Sequence, residues 1–186
     1  MAQSPQRDAP LNRIQQRDLI LRSQAIAVLL TATLGSITSG HRMTLGGVGP
    51  ARVGGSVRDV SAAVGESLVE AGGVPSGSDS CHHMRFASVP SLLFMVEDNR
   101  VVRVETKDRR FRTASGIRIG DSERKVRQVY GKRLEIGAHK YDDHGHYFIV
   151  RSVDRRRALV METNGKTVVY IRAGLVPAAE YVEGCL

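Results

Sequence analysis

The chain carries one stretch twice. SGIRIGDSERKVRQVYG, Ser115 to Gly131, echoes GPARVGGSVRDVSAAVG, Gly49 to Gly65, at an offset of 66 residues. Arg52, Val53, Gly54, Ser56, Val60 and Gly65 fall on Arg118, Ile119, Gly120, Ser122, Val126 and Gly131. The match fades and then returns, since LFMVEDNRVVRVE (Leu93 to Glu105) runs alongside LVMETNGKTVVYIR (Leu159 to Arg172) with one residue of slippage. Matches at both ends of the unit read as an internal duplication. Units this short hold little core alone, so a pair is expected to bury what each exposes.

Each unit has a physical reading. Ser56 and Ser122 are N-caps whose hydroxyls can accept from the orphan amides of a first helical turn. Asp121 and Glu123 suit the positive end of the second helix. Val126, Val129 and Tyr130 recur at helical spacing as one apolar face, and Gly65 and Gly131 are expected to stop the helices as left-handed caps. HYFIVRSV, ALVMET and KTVVYIRA are β-branched and aromatic runs, and MVEDNRVVRVE reads as a hairpin around Asp98-Asn99. Their short, period-two signal belongs to antiparallel sheet with one wet face. The expected fold is therefore α+β: two tandem repeats, 41–110 and 111–186, each a short helix packed on three or four antiparallel strands. With 5% aromatic residues and no Trp, the core must rest on Val, Leu and Ile.

The first forty residues differ. A polar leader with Arg7, Arg13, Arg17 and Arg22 precedes the uncharged run Ala25 to Ile37 and then Thr38-Ser39-Gly40. A basic region, a short apolar run and small residues describe a secretory signal over 1–40, cut after Gly40. The run is short of the roughly 20 residues of a spanning helix. The leader is long for such a signal, which a translation start near Leu19 would explain. Cys81 and Cys185, the only two cysteines, fit export as a disulfide that ties EYVEGCL back onto the first half. No Cys follows the apolar run to carry a lipid. The expected location is bacterial, periplasmic or secreted.

Gly-x-Ser-x-x-x-Val ending in Gly, followed by antiparallel strands, in tandem and behind an export signal, resembles the β-lactamase-inhibitor-protein architecture. It is similar as well to the small outer-membrane assembly lipoproteins of the SmpA/OmlA type, which carry one such unit, and the second half resembles a group of uncharacterised exported bacterial proteins. The likeness spans about Leu45 to Cys185. It implies protein binding on an open sheet face and no cofactor, although the aromatic surface an inhibitor uses is thin here.

The densest polar cluster is HKYDDHGHY, with His139, Asp142, Asp143, His144 and His146, and with His82-His83 as candidates to join it. It reads as a hairpin turning at Asp143-His144-Gly145, and as the candidate zinc or copper set His139, His144 and His146, with His139 and His146 able to meet across it. Formal charge is +8, and the residues beyond 40 keep 23 basic against 17 acidic side chains, which favours anionic partners. In KDRRFR and DRRRA only Phe111 interleaves with the basic residues, where a nucleic-acid surface uses several stacking aromatics. There is no G-x-S-x-G, no H-E-x-x-H and no P-loop, and Asp142 and Asp143 point to opposite faces of a strand. The reading is a non-catalytic exported protein that binds a protein or other envelope component across its sheet, with His146, Tyr147 and Tyr170 as contact residues. The alternative is a metal-binding or metal-dependent envelope protein built on the histidine hairpin.

Overall fold

The computed structural model describes residues 35–72 and 80–185, so the polar leader and most of the apolar run lie outside the described residues. Within them the two serine caps form as read. Ser56 accepts from the Asp59 amide at 3.1 Å and opens helix α1, Val57–Val64, while Ser122 accepts from the Lys125 amide at 3.3 Å and opens α2, Glu123–Tyr130. Gly65 ends α1 in the left-handed conformation. Gly131 does not do the same for α2. It has φ 52° and ψ −129°, and the chain continues into a 3-10 turn, Gly131–Arg133, before the next strand. Eight-residue helices are unstable alone, so both depend on what their inner faces meet. Val60 and Val64 are buried on α1, as are Val126 and Tyr130 on α2, whereas Val129 is 41% exposed and leaves the apolar face narrower than its spacing suggests.

Among the described residues, four strands of one large sheet follow each helix. After α1 come β4 (Val69–Glu70), β5 (Cys81–Arg85), β6 (Leu92–Glu97) and β7 (Arg100–Thr106); after α2 come β9 (Leu134–Ala138), β10 (His146–Arg151), β11 (Arg157–Thr163) and β12 (Val168–Leu175). They make one antiparallel sheet in the order β4-β5-β6-β7-β12-β11-β10-β9. The last strand of each half forms the central seam, with Glu105 opposite Arg172 and Arg103 opposite Gly174. Each N-cap serine also bridges to the start of its own half's last strand, Ser56 to Arg100 and Ser122 to Thr167. The β6–β7 hairpin turns at Asp98 and Asn99, both with positive φ (47° and 60°), as a two-residue turn that matches strand twist requires.

A second, small sheet was not legible in the glycine-rich stretch GGVGPARVGG. Strands β1 (Arg42–Thr44), β2 (Gly47–Val48), β3 (Ala51–Arg52) and β8 (Arg112–Thr113) pair in the order β3-β2-β1-β8, with β1 and β8 parallel. Only glycine fits at 47, where φ is 122° and a Cβ would lie 2.1 Å from the Ala51 carbonyl oxygen. This sheet adds Met43, Val48 and Ala51, and the chain flanking β8 adds Phe111 and Ile117, to one core with both helices and the inner sheet face, including Phe94, Phe148, Met161 and Ile171. Phe86 packs edge-on against Phe94 at 5.3 Å, and Tyr130 donates to Thr113 Oγ1 at 2.9 Å. Ile37 belongs to this core and is 5% exposed.

Two glycines of the large sheet are expected to answer alanine in opposite ways. At Gly174 a Cβ would sit 2.2 Å from the Val102 carbonyl oxygen, so the seam itself must open; at Gly137 it meets nothing within 4 Å. Gly174→Ala is expected to lower stability in urea unfolding by at least about 2 kcal/mol. Gly137→Ala is expected to raise it by about 0.4–1 kcal/mol through the unfolded chain.

Candidate functional site

Alternation along the two seam strands sends Val104, Ile171 and Ala173 to the core and Arg103, Glu105, Tyr170 and Arg172 to the opposite face. Among the described residues no α-helix packs on that outer face, yet its charges are buried: Arg103 and Glu105 are each 2% exposed and Arg172 is 1%. They form a row with the neighbouring strands. His83 Nε2 on β5 lies 3.4 Å from Glu105 Oε1, and Arg103 Nε lies 2.6 Å from Glu105 Oε2. Arg172 pairs with Glu162 on β11, whose other oxygen is 3.7 Å from His139 Nε2.

What covers the row is the chain's own C-terminus. After Leu175 the chain turns through a 3-10 segment, Ala178–Glu180, and runs back over the outer face to the Cys81–Cys185 disulfide. The buried guanidiniums fasten this strap. Arg103 Nη1 donates to the carbonyls of Ala178 and Tyr181, both at 3.0 Å, and Arg172 Nε donates to Ala179 at 2.8 Å. Outside the row, Arg151 Nη2 holds Glu180 at 2.9 Å and Lys140 holds Glu183 at 2.6 Å. Two small apolar clusters close under the strap, one joining Ala178 and Cys185 to Cys81, Met95 and Val102, the other joining Ala179 to Ala158 and Val160.

Glu105 is held as an anion. Burial alone would push its pKa up, but the hydrogen bond from His83, the charge on Arg103 and the Tyr170 phenol outweigh it, and the carboxyl titrates below its ordinary value. Tyr170 is pushed far up by burial and by the adjacent Glu105 charge, so it stays a neutral donor. Beside the strap this floor opens into a cleft of about 580 Å³, walled by Leu93, Lys107, Asp108, Tyr170 and Glu183. Asp108 is ionised at its rim, its pKa lowered to about 2 chiefly by hydrogen bonding from Arg110. In the floor, His83 Nδ1 is buried with no hydrogen-bond partner among the described residues. A cleft of equal volume on the strap's other side, by Met95, Lys140 and Tyr181, does not reach the ion row.

The residues singled out by sequence are divided between the faces. Tyr147 and Tyr170 are both on the outer face, flanking the Arg172 guanidinium at 5.6 and 5.9 Å. His146 is on the helix side, 2.8 Å from Glu123 Oε1 and beside Phe148. The hairpin register explains the split: Ala138, not His139, lies opposite His146, and His139 pairs with Gly145. His139 therefore stacks on Tyr147 at 4.7 Å on the outer face, and His144 is exposed in the turn. His139 and His146 do not meet, and among the described residues no three His, Cys, Asp or Glu side chains are placed to hold one metal ion. Arg103, Glu105, Glu162 and Arg172 went unnoticed in the sequence because charges alternating with valines read as a solvated strand face. The signal that could have found them is the Cys81–Cys185 pairing, which lays the tail across that face.

No family model matches the chain, and no curated protein matches it. Among solved structures it is similar to an extracellular protein containing a SCP domain from Bacillus anthracis str. Ames, with a TM-score of 0.43 and 13% sequence identity. The likeness covers 67% of this chain and 44% of the other, so the chain spans less than half the length of that protein.

The depressed pKa of Glu105 fixes a pH dependence. Its ionised form contributes stability that is complete above the unfolded value near 4.5 and is lost as pH falls through the lower folded value. Urea midpoints of the wild type are expected to fall as pH is taken from about 5 downwards. Glu105→Gln is expected to flatten that slope and, at neutral pH, to cost about 3–5 kcal/mol because Arg103 is left buried without its carboxylate.

Proposed function

We propose that this is an exported, non-catalytic binding protein that holds a protein or other cell-envelope component in the open part of its outer sheet face, in the cleft beside the C-terminal strap. The observation that carries this reading is the cleft of about 580 Å³ whose walls, Leu93, Tyr170 and Lys107, combine apolar, aromatic and charged chemistry over a floor locked by ion pairs. A floor already neutralised and rigid costs little to present to a ligand, so affinity is not spent on ordering it. Tyr170 stays in this proposal as a cleft wall; Tyr147 shares the outer face but lies against the cluster under the strap, and His146 faces away, so both leave it. The likeness to the β-lactamase-inhibitor-protein architecture supports protein binding on that face, narrowed by the strap to its uncovered part.

Two further elements belong to the proposal. The halves are tandem copies, supported by the matched serine caps, the matched cap-to-strand bridges and the four strands that follow each helix. Export is supported by the disulfide, and among the described residues no helix is long and apolar enough to cross a membrane. We place the processing cut upstream of Ile37 rather than after Gly40, because a cut after Gly40 would remove a core side chain. The intact mass of the native protein from its own cells is expected to show a chain that begins upstream of Ile37 and lacks one pair of thiol hydrogens.

Binding is tested by photo-crosslinking in cells. A photoreactive residue at Lys107, on the cleft wall, is expected to capture one discrete species, and the same residue at Arg124, exposed on α2, is expected to capture none of it. Equal capture from both positions, or none from either, would overturn the cleft as the binding site.

A further inference from the structure

The small sheet holds like charges side by side. Arg42 on β1 and Arg112 on β8 are directly paired in the parallel ladder, and because Met43 and Thr113 next to them are buried, both arginines point away from the core on one face. Arg110, in the turn that precedes β8, lines the same cleft as Arg42 and Arg112. The three guanidiniums and His41 line one cleft of about 390 Å³, with Ser39 and Gly40 at its edge. The His41 ring accepts the Thr38 amide at Nδ1, 3.0 Å away, which leaves its hydrogen on Nε2 as a donor. One carboxylate answers this charge: Asp108 binds Arg110 through Nε at 2.8 Å and Nη2 at 2.6 Å. Among the described residues Arg42 and Arg112 have no acidic partner.

Like charges opposed across a ladder destabilise a sheet. A concave set of them, kept without counter-charge, fits a ligand that supplies the charge. A carboxylate offers two oxygens to one guanidinium fork, whereas a tetrahedral oxyanion offers three or more and can engage several forks at once. We propose that the cleft formed by Arg42, Arg110, Arg112 and His41 is a binding site for a phosphate group, free or as the phosphoester headgroup of an anionic envelope lipid. The site stands apart from the proposed protein-binding cleft but adjoins it, because Asp108 lines that cleft while its carboxylate orients Arg110.

The test is titration calorimetry of the full chain with pyrophosphate at constant ionic strength, paired with sedimentation on phosphatidylcholine vesicles containing 30% phosphatidylglycerol. The R42Q/R112Q variant is compared with R124Q, which removes an exposed charge elsewhere. Saturable binding of pyrophosphate, weakened about tenfold or more in R42Q/R112Q and within about twofold of wild type in R124Q, is the expected result for a free phosphate. Vesicle binding without pyrophosphate binding, lost in the same variant alone, supports the site with a headgroup as its source. No binding in either assay, or equal weakening by R124Q, overturns the site. Thermal unfolding of R42Q/R112Q at or above the wild-type midpoint is the accompanying expectation, since a like-charge pair has been removed; a lowered midpoint would give these arginines a structural role instead.

Discussion

The two guanidiniums that grip the strap, Arg103 and Arg172, decide what kind of molecule this sheet can be. Both stand at the central seam and both are buried, a position that costs several kcal/mol per ion unless its charge is matched by an opposite one close by. Here each cation has a carboxylate on one side and backbone carbonyls on the other: Glu105 with Ala178 and Tyr181 for Arg103, Glu162 with Ala179 for Arg172. Charged hydrogen bonds of this kind contribute about 1.5–3 kcal/mol each when intact. The strap therefore does more than cover the row. Its carbonyls complete the solvation that the row lost when it was covered, and neither arrangement is favourable without the other.

The seam adds a geometric requirement. Within the large sheet the two four-strand halves pair only through β7 and β12, and at Arg103 the partner is Gly174, where a side chain would strike the Val102 carbonyl. The close approach puts the two arginine-bearing strands at ladder spacing, so that Glu105 faces Arg172 across the seam while it pairs with Arg103 on its own strand. One acidic residue from the first half and one from the second thus neutralise a basic residue each in the centre of a shared sheet. A half folded alone would present its seam strand as an open edge with buried-type charges exposed, which is a physical reason for the two halves to occur in one chain.

How much of this was legible depends on which interactions are local. Ser56 and Ser122 were readable because an N-cap is set by three or four residues of sequence, and so was the Asp98-Asn99 turn. The disulfide was readable by elimination, there being only two cysteines. The small sheet was not: its strands are two or three residues long, below any period, and β8 comes from the far side of the first half. The His139–His146 meeting failed on a register shift of one residue, which in a sheet exchanges faces entirely. The ion row failed for a different reason. Alternating charge and valine is the same pattern whether water or a returning tail covers the face, and only the tertiary path of residues 176–185 distinguishes them.

That path also explains why the disulfide sits where it does. The arginines hold the strap at 178–181, and beyond them the chain has Glu183 on Lys140 and then only Gly184 before the bridge. Gly184 passes so close over His83 that a Cβ there would lie 3.0 Å from the ring. This last stretch forms one wall of the outer cleft, through Glu183 and Gly184, and the guanidinium donations to strap carbonyls stop short of it, at Tyr181. Closing a chain separation of 104 residues, the bridge acts on the unfolded state by about 4–5 kcal/mol in the chain-entropy model, but in the folded protein its local effect is to fix that wall. Two devices therefore divide the tail between them: buried charge secures the segment that covers the row, and the covalent bond, with the Lys140–Glu183 pair beside it, secures the segment that shapes the cleft. A reducing environment would act on the second without touching the first, so the cleft's shape is tied to the oxidising compartment in which the bridge persists.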